Sequence, residues 1–462
     1  MSKSFSRLST LHSFTFVALL TSVASAENWP TWRGPTGDGI STESGFATEW
    51  SRETNVRWRV ELPEPGNSTP IVWGDRVFVT QQMDGGKRRT LLCLDRKTGE
   101  KLWQKGVDAP EMERTHETNP YCSPSPVTDG ERVIAWFGSA GLVAFDMEGN
   151  QLWQRPLGKV DHAFGYGSSP VIYGELCFLN FGPGTREFAF AVDKQTGEIV
   201  WEHEAPRPEF SFRDFEDDEE EEGEDEEDEN DEDEDDGDED DEEDEDEGDD
   251  ADDDDEEDID IFGTWSTPIV VSGEVIFCFR DEITAFEPTT GEQIWTYKGI
   301  GPMMKATPVA GEGILVALGG IESGSLGLRL GDKGLLTDSH LAWKKPRAAN
   351  RIGAGVIQDG HLYANKENGI VECLDLESGE VVWQQRLGGT DGRSEIWSSL
   401  FLTDGKIYVI NQKADVFVLA ASPEYQRIAT NSLAEMTNSS VVGSQGDLFI
   451  RTHEALWCIG SE

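Results

Sequence analysis

Long apolar runs are scarce in this 462-residue sequence, and the clearest one, residues 14–23, lies close to the start. A membrane-spanning helix requires about 20 apolar residues, so we expect no transmembrane segment. Lys3 and Arg7 precede the apolar run, and the small residues 24–26 follow it. This order of charged, apolar and small residues predicts a cleaved secretory signal peptide over residues 1–26.

A lipid anchor is not expected, because the first cysteine is Cys93, far from any site at which signal cleavage would expose it. The sequence therefore predicts a periplasmic or secreted protein that is not a lipoprotein. Residues 27–54 form a lead-in segment, and residues 55–462 form the body of the chain.

Basic residues are also few, with 38 Lys and Arg against 91 Asp and Glu, which gives a formal net charge of −53. Most of that charge comes from residues 216–258, where 38 of 43 residues are acidic, so the rest of the chain carries only −15. No basic patch is present to contact phosphates, which argues against nucleic-acid binding. The tract lacks the apolar residues needed to bury surface, so we predict a disordered acidic insertion over residues 207–262.

Cysteine and histidine are too few and too scattered to indicate a metal or catalytic site. The chain has six cysteines, no two of them adjacent, and seven histidines. Cys93 and Cys373 stand at the same place in a repeated phrase, which favours small buried core residues over disulfides. Zinc-ligand spacings, nucleophile elbows and phosphate loops are absent, so we predict no catalytic residues and no metal ligands.

What the sequence does contain is one phrase repeated along the chain. Each copy begins with a Ser/Thr-Pro step, continues through two short apolar strands separated by a Gly turn, and ends with a Gly turn and Trp. Five copies open at Thr69-Pro70, Ser125-Pro126, Ser169-Pro170, Thr267-Pro268 and Thr307-Pro308. Weaker openings are Gly355-Val356, Ser399-Leu400 and Ser440-Val441.

The spacing of the copies indicates their fold. Most copies are 40 to 48 residues apart, whereas 56 residues separate the first two openings and the copy with the acidic tract is longer still. Alternating stretches such as 75–79 and 405–409 predict half-buried strands, four to a copy. Units of this size and composition are typical of propeller blades, so we predict an all-β, eight-bladed β-propeller, with seven blades as the alternative.

The end of each copy carries a sharper signature. Residues 95–103, Asp-Arg-Lys-Thr-Gly-Glu-Lys-Leu-Trp, recur at 193–201, 287–295 and 375–383 with small changes. The glycine supplies the positive φ of a tight hairpin, and the tryptophan four residues later lies on the outer strand. We expect that tryptophan to pack between blades.

The two chain ends are expected to close the ring together. The last copy, 440–459, has room for three strands, and the segment 55–62 before the first opening carries Trp58. We therefore predict that this segment supplies the missing outer strand of the last blade, which protects edges that would otherwise be exposed.

The phrase at Ala191, Asp193, Thr196, Gly197 and Trp201 resembles the tryptophan-docking motif of quinoprotein-type propellers. The opening 29–35, Trp-Pro-Thr-Trp-Arg-Gly-Pro, is similar to the lead-in of exported PQQ-like propeller proteins of planctomycete-like bacteria. The resemblance implies the eight-bladed fold. It also implies several functions, because this fold occurs in quinone-dependent dehydrogenases, outer-membrane assembly lipoproteins and kinase-linked sensors.

Three functional hypotheses remain open. The favoured one is a non-catalytic exported scaffold that binds another exported or envelope protein. The first alternative is a dehydrogenase of alcohols or sugars that uses pyrroloquinoline quinone (PQQ) and calcium; its relatives generally hold the quinone against a ring of two adjacent disulfide-bonded cysteines, which this chain lacks. The second alternative is binding of calcium or a basic partner by the acidic tract.

A candidate ligand site can still be placed, because residues just before each opening strand lie at one end of the axial channel. Those residues are Asn67, Tyr121, Tyr166, Trp265, Lys305, Arg351, Trp397 and Asn438. Among them Trp265, Lys305, Arg351 and Trp397 are the candidate cofactor-binding residues, since stacking and positive charge suit a planar carboxylate. The competing interpretation is that these side chains plug the channel and cap loops.

Overall fold

The computed structural model describes residues 27–162, 164–184, 186–205, 263–320, 323–390, 392 and 394–460. The predicted signal peptide and the predicted acidic insertion lie outside the described residues. Within the described residues the chain forms eight antiparallel sheets of four main strands each, arranged as the blades of a propeller, so the prediction of an all-β, eight-bladed propeller is confirmed.

The lead-in contributes β1 (Ile40–Ser41), and β2 (Val56–Glu61) follows it. Blades 1 to 4 come next, each running from the inner to the outer strand. Blade 1 is β3 (Ile71–Trp73), β4 (Arg76–Met83), β5 (Arg88–Asp95) and β6 (Lys101–Asp108). Blade 2 is β7 (Val127–Thr128), β8 (Arg132–Trp136), β9 (Leu142–Asp146) and β10 (Gln151–Arg155), with a 3₁₀ helix at Gly138–Ala140. Blade 3 is β11 (Val171–Tyr173), β12 (Leu176–Phe181), β13 (Phe188–Asp193) and β14 (Ile199–Glu204). Blade 4 is β15 (Ile269–Val271), β16 (Glu274–Phe279), β17 (Glu282–Phe286) and β18 (Gln293–Lys298).

Blades 5 to 8 complete the ring. Blade 5 is β19 (Val309–Gly311), β20 (Ile314–Ala317), β21 (Ser325–Arg329) and β23 (Leu341–Lys345), interrupted by β22 (Gly334–Leu335) and a 3₁₀ helix at Asp338–His340. Blade 6 is β24 (Val356–Gln358), β25 (His361–Lys366), β26 (Ile370–Asp375) and β27 (Val381–Arg386). Blade 7 is β28 (Phe401–Thr403), β29 (Lys406–Ile410), β30 (Asp415–Ala420) and β31 (Arg427–Ser432). Blade 8 is β32 (Val442–Ser444), β33 (Asp447–Arg451), β34 (Ala455–Gly460) and β2.

Blade 8 confirms the predicted closure. Strand β2 pairs antiparallel with β34, with Val56 opposite Ile459 and Glu61 opposite Ala455. Two short strands extend other blades in parallel: β1 lies on the inner strand of blade 7, and β22 lies on the outer strand of blade 4. The edges of these two blades are thereby covered by the chain itself.

The apolar core lies between the blades and not within any one of them. One cluster joins Ile134 and Ala144 of blade 2 to Leu179 and Phe190 of blade 3. Each remaining cluster likewise joins adjacent blades, and the largest joins blades 7, 8 and 1 to the lead-in. All six cysteines are buried and free, which confirms their prediction as core residues.

The predicted interblade tryptophans dock as expected in six of the eight blades. Each indole N–H donates to a backbone carbonyl in the turn of the next blade over 2.8–3.0 Å. The pairs are Trp58 with Arg96, Trp103 with Met147, Trp153 with Lys194, Trp201 with Pro288, Trp343 with Leu376 and Trp383 with Ser422. Trp295 differs, because β22 lies beside it and its indole donates to Glu274 of its own blade at 2.9 Å.

The motif glycine serves the same contact from the other side. At Gly379 the backbone has φ of +69°, and an added Cβ would lie 2.5 Å from the indole of Trp343. The same approach occurs between Gly197 and Trp153, at 2.6 Å. The turn therefore requires glycine for two reasons: its backbone conformation is left-handed, and the indole packed on it leaves no room for a Cβ.

The Ser/Thr of the opening step forms a ring around the axis. At seven of the eight blade boundaries, the backbone N–H of this residue donates to the hydroxyl of its counterpart in the next blade over 2.9–3.1 Å. The eight positions are Thr69, Ser125, Ser169, Thr267, Thr307, Ala354, Ser399 and Ser440.

The ring corrects one predicted opening. In blade 6 the structure places Ala354-Gly355 at this register, whereas the sequence pattern predicted Gly355-Val356. The shift arises because no hydroxyl residue or proline marks the step there. Ala354 also has no hydroxyl to accept the N–H of Thr307, so the ring is open between blades 5 and 6.

Candidate functional site

All eight residues predicted at the channel end lie four to six positions before an inner strand begins. They therefore share one end of the propeller, which we call the mouth face.

The blade 1–blade 2 connection, residues 109–121, covers part of the mouth, and we call it the mouth loop. The backbone carbonyl of Thr118 accepts one hydrogen bond from the amide of Asn67 at 2.9 Å and another from that of Asn438 at 3.1 Å. Asn119 donates to the carbonyl of Tyr166 at 3.2 Å. The loop is thus fastened to blades 8, 1 and 3, on one side of the channel.

A buried ion pair anchors this loop. Both carboxylate oxygens of Glu113 accept from the guanidinium of Arg89, at 2.5 and 2.7 Å, and both side chains are fully buried. The ring of Tyr121 stacks on the guanidinium at 4.6 Å. Burial alone would lower the pKa of Arg89, but Tyr166 and Glu113 outweigh burial and raise it. Arg89 therefore stays charged, and removing Glu113 would leave this buried charge uncompensated.

Trp265 lies on the blade 3 side of the mouth. Its ring meets the buried ring of His162 edge-on at 5.0 Å, and its indole N–H donates to the carbonyl of Gly165 at 3.3 Å. His162 accepts the N–H of Phe164 through Nδ1 at 3.0 Å. Burial lowers the pKa of His162 to about 4, against an opposing effect of Asp161, so the ring is neutral near pH 7. Trp265 is thus held by local contacts that fix its orientation.

Arg351 is turned into the protein. Its guanidinium donates to the carbonyl of Asn365 at 3.0 Å and forms a short ion pair with the buried Glu372. Both contacts lie within blade 6. Glu372 also pairs with Lys366 at 3.1 Å, and Arg351 is only 5% exposed, so its guanidinium is not presented to a ligand at the mouth.

Lys305 and Trp397 lie at the mouth near two carboxylates. Burial lowers the pKa of Lys305, and neighbouring Glu367 opposes this effect. Burial also raises the pKa of Glu367, with Lys305 lowering it and Glu395 raising it. The indole of Trp397 donates to Glu395 at 2.9 Å. The structure therefore brings Lys305 and Trp397 into one mixed-charge cluster. Trp265 lies next to it, because its backbone N–H donates to the carbonyl of Met304 at 3.2 Å, whereas Arg351 is turned inward.

The quinone and calcium implied by the resemblance do not fit this set of residues. Of the two candidate cations, Arg351 is committed to Glu372, and Lys305 faces a carboxylate. Within the described ranges, no group of three or more His, Cys, Asp or Glu is arranged to hold a metal ion. We therefore derive no step through either group.

Sequence reasoning missed Arg89, Glu113 and Thr118. The predicted residues Asn67 and Asn438 donate to Thr118, and Tyr121 stacks on Arg89. The sequence did indicate an unusually long connection here, because the first two openings are 56 residues apart whereas the next interval is 44. The extra length is the mouth loop. Its pairing with Arg89 had no local pattern, since the two residues lie 24 positions apart.

Eight meandering blades, six of which dock an indole on a backbone carbonyl of the next blade, define a propeller of the tryptophan-docking class. The chain belongs to the family described as outer membrane protein assembly factor BamB, which it matches over residues 40–181 and 189–461. No curated protein sequence matches it significantly. No helix in the described part of the chain is long and apolar enough to cross a membrane.

Solved structures with this fold come from proteins of different function. BamB from Moraxella catarrhalis is 13% identical, with a TM-score of 0.55, over 87% of this chain and 99% of that one. A europium-containing methanol dehydrogenase is 11% identical, with a TM-score of 0.64, over 92% and 89% of the two chains. A quinohemoprotein alcohol dehydrogenase from Comamonas testosteroni is 11% identical, with a TM-score of 0.62, over 94% and 81%. At these identities the likeness concerns the fold alone.

Proposed function

We propose that this protein is an exported, non-catalytic scaffold that binds another envelope protein through its mouth face. One observation carries the proposal: three large apolar side chains are exposed around the mouth loop. They are Met112 (44% exposed), Phe164 (47%) and Met436 (38%). Exposed apolar groups gathered on one face of a protein mark interaction surfaces, and methionine adapts well to a partner.

The contacts of the mouth loop support the grouping of these side chains. Met112 lies on the loop itself, and the ring of Phe164 lies 5.2 Å from that of His116 on the loop. Met436 is two residues from Asn438, whose amide bonds to Thr118 of the loop. The patch is therefore organised on the anchored part of the mouth, where Arg89 and Glu113 limit the ordering cost of binding.

The location of the protein is part of the proposal. The sequence of residues 1–26 favours export by a cleaved signal peptide, and the family description names outer-membrane assembly factors. A periplasmic or secreted scaffold agrees with both. Binding of calcium or of a basic partner by the acidic tract is a separate hypothesis, drawn from the composition of residues 216–258.

The test is capture of an envelope partner by the mature protein in the source organism, using a crosslinker. Phe164→Asp combined with Met112→Asp places charge in the patch and is expected to abolish capture. The matched control is Leu102→Asp with Val382→Asp, which alters two exposed apolar residues on the outer wall. Equal capture by both double variants would refute the mouth as the binding face.

A further inference from the structure

The lead-in begins at the end of the propeller that lies opposite the mouth face. Inner strands run away from the mouth, and the lead-in is fastened to two of them. The backbone of Trp29 pairs with Val72 of blade 1 through two hydrogen bonds of 2.8 Å. Ser444, the last residue of the inner strand of blade 8, donates its hydroxyl to the carbonyl of Glu27 at 2.6 Å. The position of Glu27 is therefore set by contacts with the ring itself.

The backbone nitrogen of Glu27 donates to a buried carboxylate. Its N–H bonds to Oε1 of Glu43 at 2.8 Å, and Oε2 of Glu43 accepts the backbone N–H of Gln445 in blade 8 at 2.6 Å. Glu43 is 8% exposed, and its carbonyl accepts the hydroxyl of Thr403 in blade 7. The carboxylate of Glu43 is thus held in a fixed place beside the nitrogen of Glu27.

The side chain of Glu27 brings a second carboxylate to the same stretch of the lead-in. Its Oε2 accepts the hydroxyl of Ser41 at 2.6 Å and the N–H of Thr42 at 3.1 Å. The hydroxyl of Ser41 in turn accepts the N–H of Glu43 at 3.1 Å. Within the described ranges, no basic side chain forms an ion pair with Glu27 or Glu43. Buried charges are normally paired, so this site has a place for a cation.

The predicted signal cleavage falls at the nitrogen that bonds to Glu43. Hydrolysis of the peptide bond between Ala26 and Glu27 consumes one water molecule, whose oxygen joins the carbonyl carbon of Ala26. Ala26 leaves as a carboxylate, and both protons of the water pass to the nitrogen of Glu27. A neutral amide with one N–H thereby becomes an ammonium with three, which is mostly protonated at neutral pH.

We propose that signal cleavage supplies the cation of this site: the new ammonium of Glu27 pairs with Glu43 and seats the lead-in on the ring. The nitrogen already lies at ion-pair distance, 2.8 Å, from Oε1 of Glu43, so no rearrangement is required. Charge-assisted hydrogen bonds are stronger than neutral ones, so we expect the lead-in to open more readily before cleavage than after it. The proposal rests on the predicted cleavage and is independent of partner binding at the mouth face.

Hydrogen exchange followed by mass spectrometry reports the opening of the lead-in at the paired amides of Trp29 and Val72. The exported protein is compared with a form that carries Gly-Ser inserted between Ala26 and Glu27. Cleavage leaves the two added residues attached, so the nitrogen of Glu27 stays a neutral amide. We expect exchange at Trp29 and Val72 to be roughly tenfold faster with the insertion, as the difference between a charge-assisted and a neutral hydrogen bond implies.

Variants separate the charge from the bulk of the added residues. In Glu43→Gln the insertion should have little effect on exchange, because the ion pair is absent from both forms. In Glu53→Gln, which changes an exposed glutamate of the same lead-in, the insertion should keep its full effect. Each comparison is made within one variant, so it holds even where Glu43→Gln itself loosens the lead-in. The amide of Leu336 in blade 5, which bonds to the carbonyl of Thr296, is the internal control and should not change.

Three results would overturn the proposal. The intact mass of the exported protein must correspond to a chain with a free amine at Glu27, and any other N-terminus removes the ammonium. Equal acceleration by the insertion in Glu43→Gln and in the native background would assign the effect to the bulk of the added residues. No acceleration in the native background would show that the charge does not seat the lead-in. None of these results bears on capture of a partner at the mouth face.

Discussion

The backbone N–H of Ser440 donates to the hydroxyl of Thr69 over 3.1 Å and joins the inner strands of blades 8 and 1. At the outside of the same boundary, the indole of Trp58 donates to the carbonyl of Arg96 over 2.8 Å. Two interblade bonds therefore hold the closure, one near the axis and one at the rim. Each bond belongs to a set that is repeated around the ring. The hydroxyl set can be tested at its gap, Ala354, and the indole set at a docking turn such as that of Gly379.

The gap in the hydroxyl ring at Ala354 predicts a stabilising substitution. Ala354→Ser supplies an acceptor for the buried N–H of Thr307 and should raise the free energy of unfolding by about 0.5–1.5 kcal/mol. Ser399→Ala is the reciprocal change, because it removes the acceptor used by the N–H of Ala354 at 2.9 Å. It should destabilise the protein by about 1–3 kcal/mol. Urea unfolding of both variants measures these changes in the free energy of unfolding. A loss of stability in Ala354→Ser would contradict the role of the hydroxyl ring.

Glycine at the docking turn can be tested with a matched pair. Gly379→Ala places a Cβ 2.5 Å from the indole of Trp343 at φ of +69°, whereas Gly405→Ala meets open space at φ of +66°. The backbone penalty of about 1–2 kcal/mol is common to both. We expect Gly379→Ala to cost clearly more in urea unfolding. Equal costs would mean that the indole does not require glycine beneath it.

Loss of a docking tryptophan should be far more costly than loss of a mouth tryptophan. Trp201 is buried between blades 3 and 4 and donates to Pro288 at 2.8 Å. Trp201→Ala should therefore destabilise the protein by about 3–5 kcal/mol. Trp397→Ala, which removes a half-buried ring bonded to Glu395, is the control and should cost much less. Thermal and urea unfolding of the two variants measure the two losses of stability. A larger loss in Trp397→Ala than in Trp201→Ala would contradict the docking role of Trp201.

The buried carboxyl of Glu187 predicts a pH dependence. It accepts the N–H of Thr264 at 2.9 Å, and burial raises its pKa to about 8, with the N–H groups of Arg280 and Thr264 lowering it and Glu282 raising it. The folded protein therefore holds a proton that the unfolded chain releases above about pH 4.5. Its contribution to stability falls as the pH rises from about 4.5 to about 8, and is constant above that.

Glu187→Gln removes this contribution while keeping an acceptor for Thr264. The variant should match the wild type near pH 4.5 and become progressively more stable than it up to pH 8. His162 and His453, whose pKa values burial lowers to about 4, affect both proteins alike and cancel in the comparison. A difference in unfolding free energy that does not change with pH would show that Glu187 is ionised throughout.

The repeated elements could be predicted from sequence because each copy supports the others. Asp95, Gly99 and Trp103 recur at fixed spacing, so their turn, their strand and their packing followed from hydrogen bonding and sterics alone. Trp58 lies before the first complete copy. Its presence there indicated that this segment closes the ring as the outer strand of the last blade. By contrast, the inward turn of Arg351 depends on Glu372, 21 positions away, and no spacing rule links the two.

The departures from the repeat were harder to predict than the repeat itself. Ala354 lacks both the hydroxyl and the proline that mark the other openings, so its register emerged only from its contact with Ser399. In blade 7 Ala429 takes the outer-strand position that tryptophan holds in the other seven blades. The cause lies in blade 8, whose last two strands come from opposite ends of the chain and leave no continuous turn for an indole to dock on. The mouth loop adds contacts among blades distant in sequence, which a repeat pattern does not encode.

The most direct test of the proposed function is thermal unfolding of the mature protein with and without PQQ plus calcium. A ligand of the folded state raises its apparent stability, so a quinone-dependent enzyme would unfold at a higher temperature in their presence. Our account predicts the same midpoint in both conditions. A rise that requires both PQQ and calcium, and that is lost in Lys305→Ala with Trp397→Ala, would contradict the scaffold and establish the mouth as a cofactor site.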